Sequence, residues 1–298
     1  MSTTEHNTAD DFATPRRDRL RRAFFRFSQS KLSMLGAAIV AVVIFFTAFG
    51  TVLAPYPEHV AGSVDTASRF MPPSAAHPFG TNELGQDVLS LVMAGTTVSV
   101  LAGFGVVLIG SVIGTLVGAV AGFAKGWVDE VLMRLTDLTL TIPGLILAMA
   151  IAAALGSGFG NMVIAIALSW WPGYARLVRG EVLAAREEVY VTAARALGAT
   201  PKRILFRHIL PNVVSPIIVK MSLDMGFAIL TVAGLGFIGI GVRPPTPEWG
   251  TLLSVSRSYM PDYWWTAMAP GMAMFLAVFG FNLLGDGLRD ILDPKARR

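Results

Sequence analysis

The sequence predicts an all-α membrane protein with six transmembrane helices, and three observations support that fold class. Of the 298 residues, 53% are hydrophobic and only 15% are charged, whereas charged residues make up about a quarter of a soluble domain. Six stretches are apolar over about the 20 residues that a spanning helix needs. The basic residues collect between alternate stretches and at the two termini, which is the pattern of a chain that crosses the membrane repeatedly.

The six apolar stretches follow one another in chain order. They are Met34–Leu53, Val98–Phe123, Val131–Leu155, Met162–Val178, Ile217–Val242 and Pro270–Leu288. The first follows a basic tail (residues 1–33) and precedes five more stretches, so we expect an uncleaved anchor rather than a signal peptide. The remaining divisions are an external segment (54–97), a core (98–288) and a C-terminal tail (289–298).

Lysine and arginine indicate the orientation. Of the 24 such residues, 21 fall in the N-terminal tail, in or beside the second and fourth loops, or at the C-terminal end. The other three, Arg69, Arg243 and Arg257, fall on the opposite side. Because basic loops remain in the cytoplasm, both termini are predicted to be cytoplasmic. The net charge of +4 therefore reflects topology, and we expect no nucleic-acid partner.

Glycine predicts how the second stretch packs. Gly110, Gly114, Gly118 and Gly122 recur at every fourth position and form a flat ridge on one helix face. Because there is little hydrophobic drive between helices in lipid, association there depends on close packing of this kind. We expect tight structural packing, with a surface that slides during a conformational change as the alternative.

Two prolines interrupt predicted spans, Pro143 in the third and Pro172 in the fourth. Each removes a backbone donor, and we expect a kink in each helix. The alternative is a broken helix beside a transport pathway, because freed backbone groups at membrane depth are tolerated only inside protein or beside water.

Two pairs of opposite charges lie near predicted cytoplasmic span ends. Arg134 and Asp137 are three residues apart, and Lys220 and Asp224 are four apart, so each pair is predicted to meet on one helix face. Ion pairs are inexpensive at that depth because long side chains reach the interface. We expect structural ion pairs, with a substrate or proton site as the alternative.

The loop between the fourth and fifth stretches (residues 179–212) is the most informative segment. Apolar residues recur at helical spacing from Val182 to Leu197, and charged residues occupy the opposite face. The boundary residues are Gly198 at a helix-ending position, Thr200 as an N-cap, Pro201 at a first helical position and Pro211 as a stop. The loop therefore predicts a helix–glycine–helix element whose apolar face needs lipid or a soluble partner to cover it.

At these residues the sequence resembles the permease subunits of ATP-binding-cassette (ABC) importers. Their signature is Glu-Ala-Ala, three residues, Gly, nine residues, then Ile-x-Leu-Pro. The matching positions are Thr192-Ala193-Ala194, Gly198 and His208-Ile209-Leu210-Pro211. Thr192 and His208 replace the glutamate and the first isoleucine of the signature, so the roles of those two residues do not carry over.

Five ordered segments narrow the resemblance to the second-permease type of the dipeptide/oligopeptide/nickel branch. They are residues 77–87, 174–179, 207–212, 244–250 and 282–290. One departure is Val232, where many relatives carry glutamate, so no substrate or gating carboxylate is assigned there.

The resemblance implies a type I importer permease in a bacterial inner membrane. The implied ATPase-coupling residues are Tyr190, Thr192, Ala193, Ala194, Leu197, Gly198, His208, Leu210 and Pro211. The implied partners are a second homologous permease, two ATPase subunits and an extracytoplasmic solute-binding protein. ATP and magnesium would be used by the ATPases, and this chain is expected to bind no cofactor. Peptides are the implied solute, with nickel or another small solute, such as an opine or a sugar, as the alternative.

Other functional classes find little support in the residues. The chain has no cysteine, and it lacks a Gly-x-x-x-x-Gly-Lys-Ser/Thr loop for nucleotide phosphates. Its four histidines lie outside the predicted spans, so Ser157 has no buried base to activate it, and no metal site is predicted. A self-sufficient secondary transporter remains the alternative, although no mid-membrane chain of carboxylates supports it.

The second external segment (243–269) is rich in aromatic residues. They are Trp249, Tyr259, Tyr263, Trp264 and Trp265. Aromatic side chains at this depth are typical of the membrane interface, which is what we expect here. A surface where a solute-binding protein docks is the alternative.

Overall fold

A computed structural model describes Phe25, Phe27, Gln29 and residues 30–292. This part of the chain is helical, and its only β-pairing is an isolated bridge between Thr81 and Asp87. Most of the basic N-terminal tail, and the last six residues with their Lys and Arg, lie outside the described residues.

Nine helices of eight residues or more build the described part. They are α1 (Lys31–Phe49), α2 (Val88–Ala124), α3 (Gly126–Thr141), α4 (Gly144–Leu155), α5 (Phe159–Ala185), α6 (Val189–Ala196), α7 (Leu210–Ile238), α8 (Trp249–Ser256) and α9 (Trp265–Leu292). A turn of helix at Pro201–Arg203 and a π-helix at Ile204–Ile209 lead into α7. Shorter helical turns occur at Pro57–Val60, Thr66–Ser68 and Arg257–Tyr259.

Four helical segments of the described residues are long and apolar enough to cross a membrane. They are α1, α2, the continuous helix Pro201–Ile238 that contains α7, and α9. The α3–α4 pair meets the same standard only as one bent unit. The predicted fourth span lies within α5, which falls short because Asn161, Pro172 and Arg176 lower its mean hydropathy. The six-span count therefore remains a prediction.

The two prolines act differently. Between α3 and α4 the chain bends by 92°, and Ile142 and Pro143 both have extended ψ values there. The residue before a proline is pushed out of the helical region, so the helix breaks rather than bends gently. The expected simple kink is therefore wrong at Pro143. By contrast, α5 continues through Pro172.

Helix ends differ from the predicted span ends where a polar cap or a glycine decides them. α2 begins at Val88 because the Asp87 carboxylate accepts from Ser90 N at 2.8 Å and from Ser90 Oγ at 2.7 Å. α2 therefore begins ten residues before the start of the predicted span at Val98. α7 ends at Ile238 because Gly239 adopts a left-handed conformation (φ 88°).

The glycine ridge of α2 faces α5, and these two helices make the most extensive contact in the bundle. A Cβ at Gly114 would overlap the carbonyl oxygen of Trp171 and the Cβ of Tyr174. A Cβ at Gly118 would overlap the carbonyl oxygen of Ala175. Such overlaps mean that the two backbones approach as closely as the side-chain-free ridge permits.

A buried polar network attaches the segment between α1 and α2 to the start of α2. The Asp87 N–H donates to His59 Nδ1 at 3.0 Å, and His77 Nδ1 lies 3.0 Å from Asp87 Oδ1. Gln86 Nε2 donates to the Ser63 carbonyl at 2.9 Å. The motif at residues 77–87 thus has a structural role, because these buried polar groups partner one another.

Glu248 fixes α8 against α2. Its side chain is fully buried (0% exposed) and accepts from Ser99 Oγ at 3.1 Å. It also caps α8 by accepting from Gly250 N and Thr251 N, each at 2.8 Å. A buried carboxylate needs several such donors to offset its desolvation.

The aromatic residues of segment 243–269 have different environments. Trp249 is buried, and its Nε1 donates to the Val92 carbonyl at 3.1 Å, so its predicted interfacial position is wrong. Trp265 Nε1 donates to the Thr81 carbonyl at 3.1 Å, and Tyr263 stacks on Phe70 with ring centroids 3.9 Å apart. Trp264 is exposed, so an interfacial or docking role is open to it.

Candidate functional site

The candidate site is the element formed by α6 and the following turn, at the predicted cytoplasmic end of the bundle. The predicted helix from Val182 to Leu197 is divided, because α5 ends at Ala185 and α6 begins at Val189. At the break, Arg186 Nη1 donates to the Gly122 carbonyl at 3.0 Å. This bond satisfies an orphan carbonyl at the end of α2.

Gly198 forms the turn between α6 and the next helix. It has a φ of 79°, and Ala199 N donates to the Ala194 carbonyl at 3.0 Å in the manner of a Schellman motif. A Cβ at Gly198 would meet nothing within 4 Å. The constraint at this position is therefore the left-handed backbone and not a lack of space.

The second helix begins as predicted but does not end as predicted. The Thr200 side chain accepts from Arg203 N at 3.4 Å, and Pro201 follows at the first helical position. Pro211, however, lies near the start of α7, which is continuous with the preceding π-helix. Within the π-helix Leu210 N donates to the Leu205 carbonyl. This wider turn accommodates the proline that would break a regular α-helix, so the predicted stop at Pro211 is wrong.

A small apolar core joins the element rigidly to the bundle. Its buried members are Ala119, Val178, Val182, Val191, Ile204, Leu205, Ile209, Val213 and Ile217. They come from α2, α5, α6, the π-helix and α7. Because protein interiors pack closely, this core holds α6 in fixed contact with α5 and α7.

The opposite surface of the element is apolar and exposed. Leu197 is 88% exposed, Val189 is 81% exposed and Phe206 is 59% exposed, and Tyr190 is also exposed. Thr192, Ala193, Gly198 and Pro211 are exposed as well, whereas Ala194, His208 and Leu210 are partly buried. The predicted residues thus fall on one accessible element, although they are not all equally accessible.

Val189 and Phe206 are large exposed apolar residues of the element that the signature does not include. Phe206 lies between Arg203 and Arg207 in a basic turn. An isolated large apolar residue among charges is the sequence signal that could have identified it. Large exposed apolar patches rimmed by polar residues are typical of protein–protein contacts.

The rim of the surface is basic. Among the described residues, Arg195, Lys202, Arg203 and Arg207 are exposed and form no ion pair. Their charges remain available to steer a partner with acidic groups around its cleft.

Ion pairs connect α5, which precedes the element, to α3. Arg179 makes a bidentate contact with Asp129 at 2.6 and 2.7 Å, and Arg176 Nη2 lies 2.7 Å from Asp137 Oδ1. The predicted Arg134–Asp137 pair is therefore wrong. Asp137 reaches across to α5 instead, and Arg134 lies 3.6 Å from Glu130. The predicted Lys220–Asp224 pair is confirmed at 3.0 Å.

Family models match most of the chain. The model described as "Binding-protein-dependent transport system inner membrane component" matches residues 110–298. The model described as "N-terminal TM domain of oligopeptide transport permease C" matches residues 19–73. The first match includes the whole α6 element, and the second includes α1 and the residues that follow it up to residue 73.

Curated relatives match over nearly their full lengths. The probable D,D-dipeptide transport system permease protein DdpC of Escherichia coli K12 is 45% identical over 267 residues, covering 90% of this chain and 89% of the relative. The glutathione transport system permease protein GsiD of Pectobacterium atrosepticum is 42% identical over 272 residues, covering 91% of this chain and 90% of the relative.

A solved structure shares the fold. A chain of the MetNI methionine ABC transporter in inward-facing conformations aligns with a TM-score of 0.54 at 17% identity, covering 67% of this chain and 96% of that chain. At this identity the likeness concerns the fold alone. Together, the matched residues and the relatives show that this chain belongs to the family of binding-protein-dependent transport system inner membrane components.

Proposed function

We propose that this chain forms half of the pathway by which an ABC importer carries short peptides across the cytoplasmic membrane. The observation that carries the proposal is the exposed apolar surface of α6 and the following turn, on a rigidly attached element. Such a surface needs lipid or a partner protein to cover it, and its exposed apolar residues rimmed by charged ones are typical of a protein contact. An ATPase subunit with an apolar cleft and an acidic rim is the partner that this surface fits.

The geometry supports the transmission of a conformational movement from the ATPase to the membrane helices. Movement of α6 acts through Val191 on the small core, and that core includes residues of both α5 and α7. The ion pairs from α5 to α3 carry the motion to the bent α3–α4 unit. Two such permeases, driven by two ATPases, would alternate between inward-facing and outward-facing states.

Short peptides are the proposed solute class. The relatives at 45% and 42% identity are named for a D,D-dipeptide and for glutathione, and both compounds are small peptides with free charged groups. An extracytoplasmic solute-binding protein would deliver the peptide to the side that holds Trp264.

The orientation can be tested with reporter fusions. We propose that both termini are cytoplasmic, because 21 of the 24 Lys and Arg residues favour that side. A fusion at Arg298 should report cytoplasm, and a fusion between Gly62 and Arg69 should report the opposite side. A reversed sign at either position would contradict the topology.

Dependence on partners tests the function itself. The purified chain alone should show no ATP hydrolysis and no dipeptide uptake in liposomes. The assembled transporter, with its second permease, its ATPases and the loaded binding protein, should take up dipeptide only with ATP. Uptake by the isolated chain under an ion gradient would instead show a secondary transporter.

A further inference from the structure

One face of α7 combines a partly buried ion pair with small and apolar residues. Its members recur every three or four residues and are Lys220, Asp224, Phe227, Thr231, Gly234 and Ile238. None of these side chains is buried, and Phe227 is 61% exposed. A Cβ at Gly234 would meet nothing within 4 Å, so the middle of the face opens into free space. We call these six residues the α7 stripe.

Two other exposed faces are wholly apolar. On α2 the exposed residues are Leu101, Phe104, Leu108, Val112, Leu116 and Val120. On α9 the exposed large apolar residues are Met268, Met272, Phe275, Leu276 and Phe279. Faces of this composition are what a bilayer requires. By the same measure, α7 exposes the large apolar residues Val214, Ile218, Phe227, Leu230, Phe237 and Ile238. What distinguishes the α7 stripe is its partly buried Lys220–Asp224 pair, a charged group that hydrocarbon alone does not favour.

The charged end of the stripe is a compact cluster. Lys220 Nζ lies 3.0 Å from Asp224 Oδ2 and 4.9 Å from the centroid of the Tyr174 ring on α5. Tyr174 is 1% exposed. Its hydroxyl lies close to the Asp224 carboxylate but forms no hydrogen bond of good geometry among the described residues. Gly173 leaves room beside Lys220, since a Cβ there would lie 3.7 Å from Lys220 Cε.

A buried hydroxyl that lacks a well-formed hydrogen bond beside an ion pair is compatible with a second arrangement of the cluster. Leaving a buried donor unpaired costs about 1–3 kcal/mol, so such groups usually have a partner in some state of the protein. If a ligand carboxylate engaged Lys220, Asp224 would lose its cation, and the Tyr174 O–H could turn to donate to it. The cluster could then exchange partners without leaving a charge unpaired.

We propose that the α7 stripe lines the peptide path and that Lys220 and Asp224 bind the charged termini of the passing peptide. Lys220 donates to the terminal carboxylate, Asp224 accepts from the terminal ammonium group, and Tyr174 is a positioning residue that compensates Asp224 when Lys220 moves. This assignment rests on the proposed function, because it takes a short zwitterionic peptide as the solute.

Cysteine labelling tests whether the stripe faces water. The chain has no native cysteine, so each variant carries a single thiol on this subunit. Its labelling can be measured after the subunit is separated from its partners on a gel. In the assembled transporter, Phe227→Cys and Thr231→Cys should react with a charged, water-soluble thiol reagent. The matched control, Phe275→Cys on the apolar face of α9, should remain unlabelled. Equal protection of all three would place the stripe in lipid or in a dry interface and overturn the path assignment.

A charge swap separates ligand binding from structural pairing. Lys220→Met should lower dipeptide uptake about tenfold or more, the usual effect of losing a charge-assisted hydrogen bond. The double variant Lys220→Asp/Asp224→Lys keeps the pair but reverses its polarity. Its uptake should remain low while ATP hydrolysis stimulated by the loaded binding protein is retained.

The outcomes distinguish the inference from the function on which it rests. If the swapped pair restores uptake, or if uptake and ATP hydrolysis are lost together at normal subunit abundance, the pair is a structural link and the binding role is overturned. If the unmodified transporter carries no dipeptide at all, the proposed solute class fails. In that case the labelling pattern still decides whether the stripe lines a water-filled path.

Discussion

Gly114→Val is expected to remove most of the folded permease from the membrane. The new side chain would overlap the Trp171 carbonyl oxygen and the Tyr174 Cβ, and it would also lie 2.9 Å from Ala175 N. Neither backbone can give way without separating α2 from α5, the most extensive helix contact in the bundle. Overpacking of this kind costs about 3 kcal/mol or more. The measurement is the abundance and thermal stability of the purified subunit in its complex.

The matched control for this variant is Gly180→Ala on α5. A Cβ there meets nothing within 4 Å, and alanine is the better helix former by about 1 kcal/mol. We expect Gly180→Ala to be neutral or slightly stabilising. If Gly114→Val accumulates and melts like the unmodified protein, α2 and α5 are not packed along the glycine ridge.

Leu197→Glu is expected to uncouple the permease from its ATPases while leaving the membrane bundle intact. Leu197 is 88% exposed on the α6 element, so the substitution removes no internal packing. Burying a carboxylate in an apolar cleft costs several kcal/mol, which would reduce ATPase association by about a hundredfold or more. Co-purification of the ATPases and ATP-dependent dipeptide uptake are the two measurements.

Two further variants locate the docking surface on the element. Gly198→Val strains the left-handed turn by about 1–2 kcal/mol, and it should weaken coupling by tilting α6 against the next helix. Glu187→Gln is the control, because its side chain is 73% exposed and makes only long surface contacts with Lys125 and Arg186, which contribute little. Normal transport by Leu197→Glu, together with a loss in Glu187→Gln, would assign docking to the other face.

The sequence was sufficient to identify the membrane class, the positions of most long helices and the α6 element. These features depend on local composition: apolar length, glycine spacing, an N-cap at Thr200 and a left-handed glycine at position 198. Each feature is a property of a few neighbouring residues, so it can be predicted from the sequence without knowledge of contacts between distant residues. The same holds for the Lys220–Asp224 pair, whose members lie on one turn of one helix.

Only the tertiary structure decided which distant groups meet. Asp137 was expected to pair within its own helix but binds Arg176 on α5, because a neighbouring helix brings a better-placed guanidinium. Trp249 and Glu248 look like surface residues in a proline-rich loop, yet both are buried where that loop folds back onto α2. The unpaired Tyr174 hydroxyl and the polar face of α7 likewise follow from packing between helices. Local pattern determines the elements, but burial and partner choice depend on contacts between residues far apart in the chain.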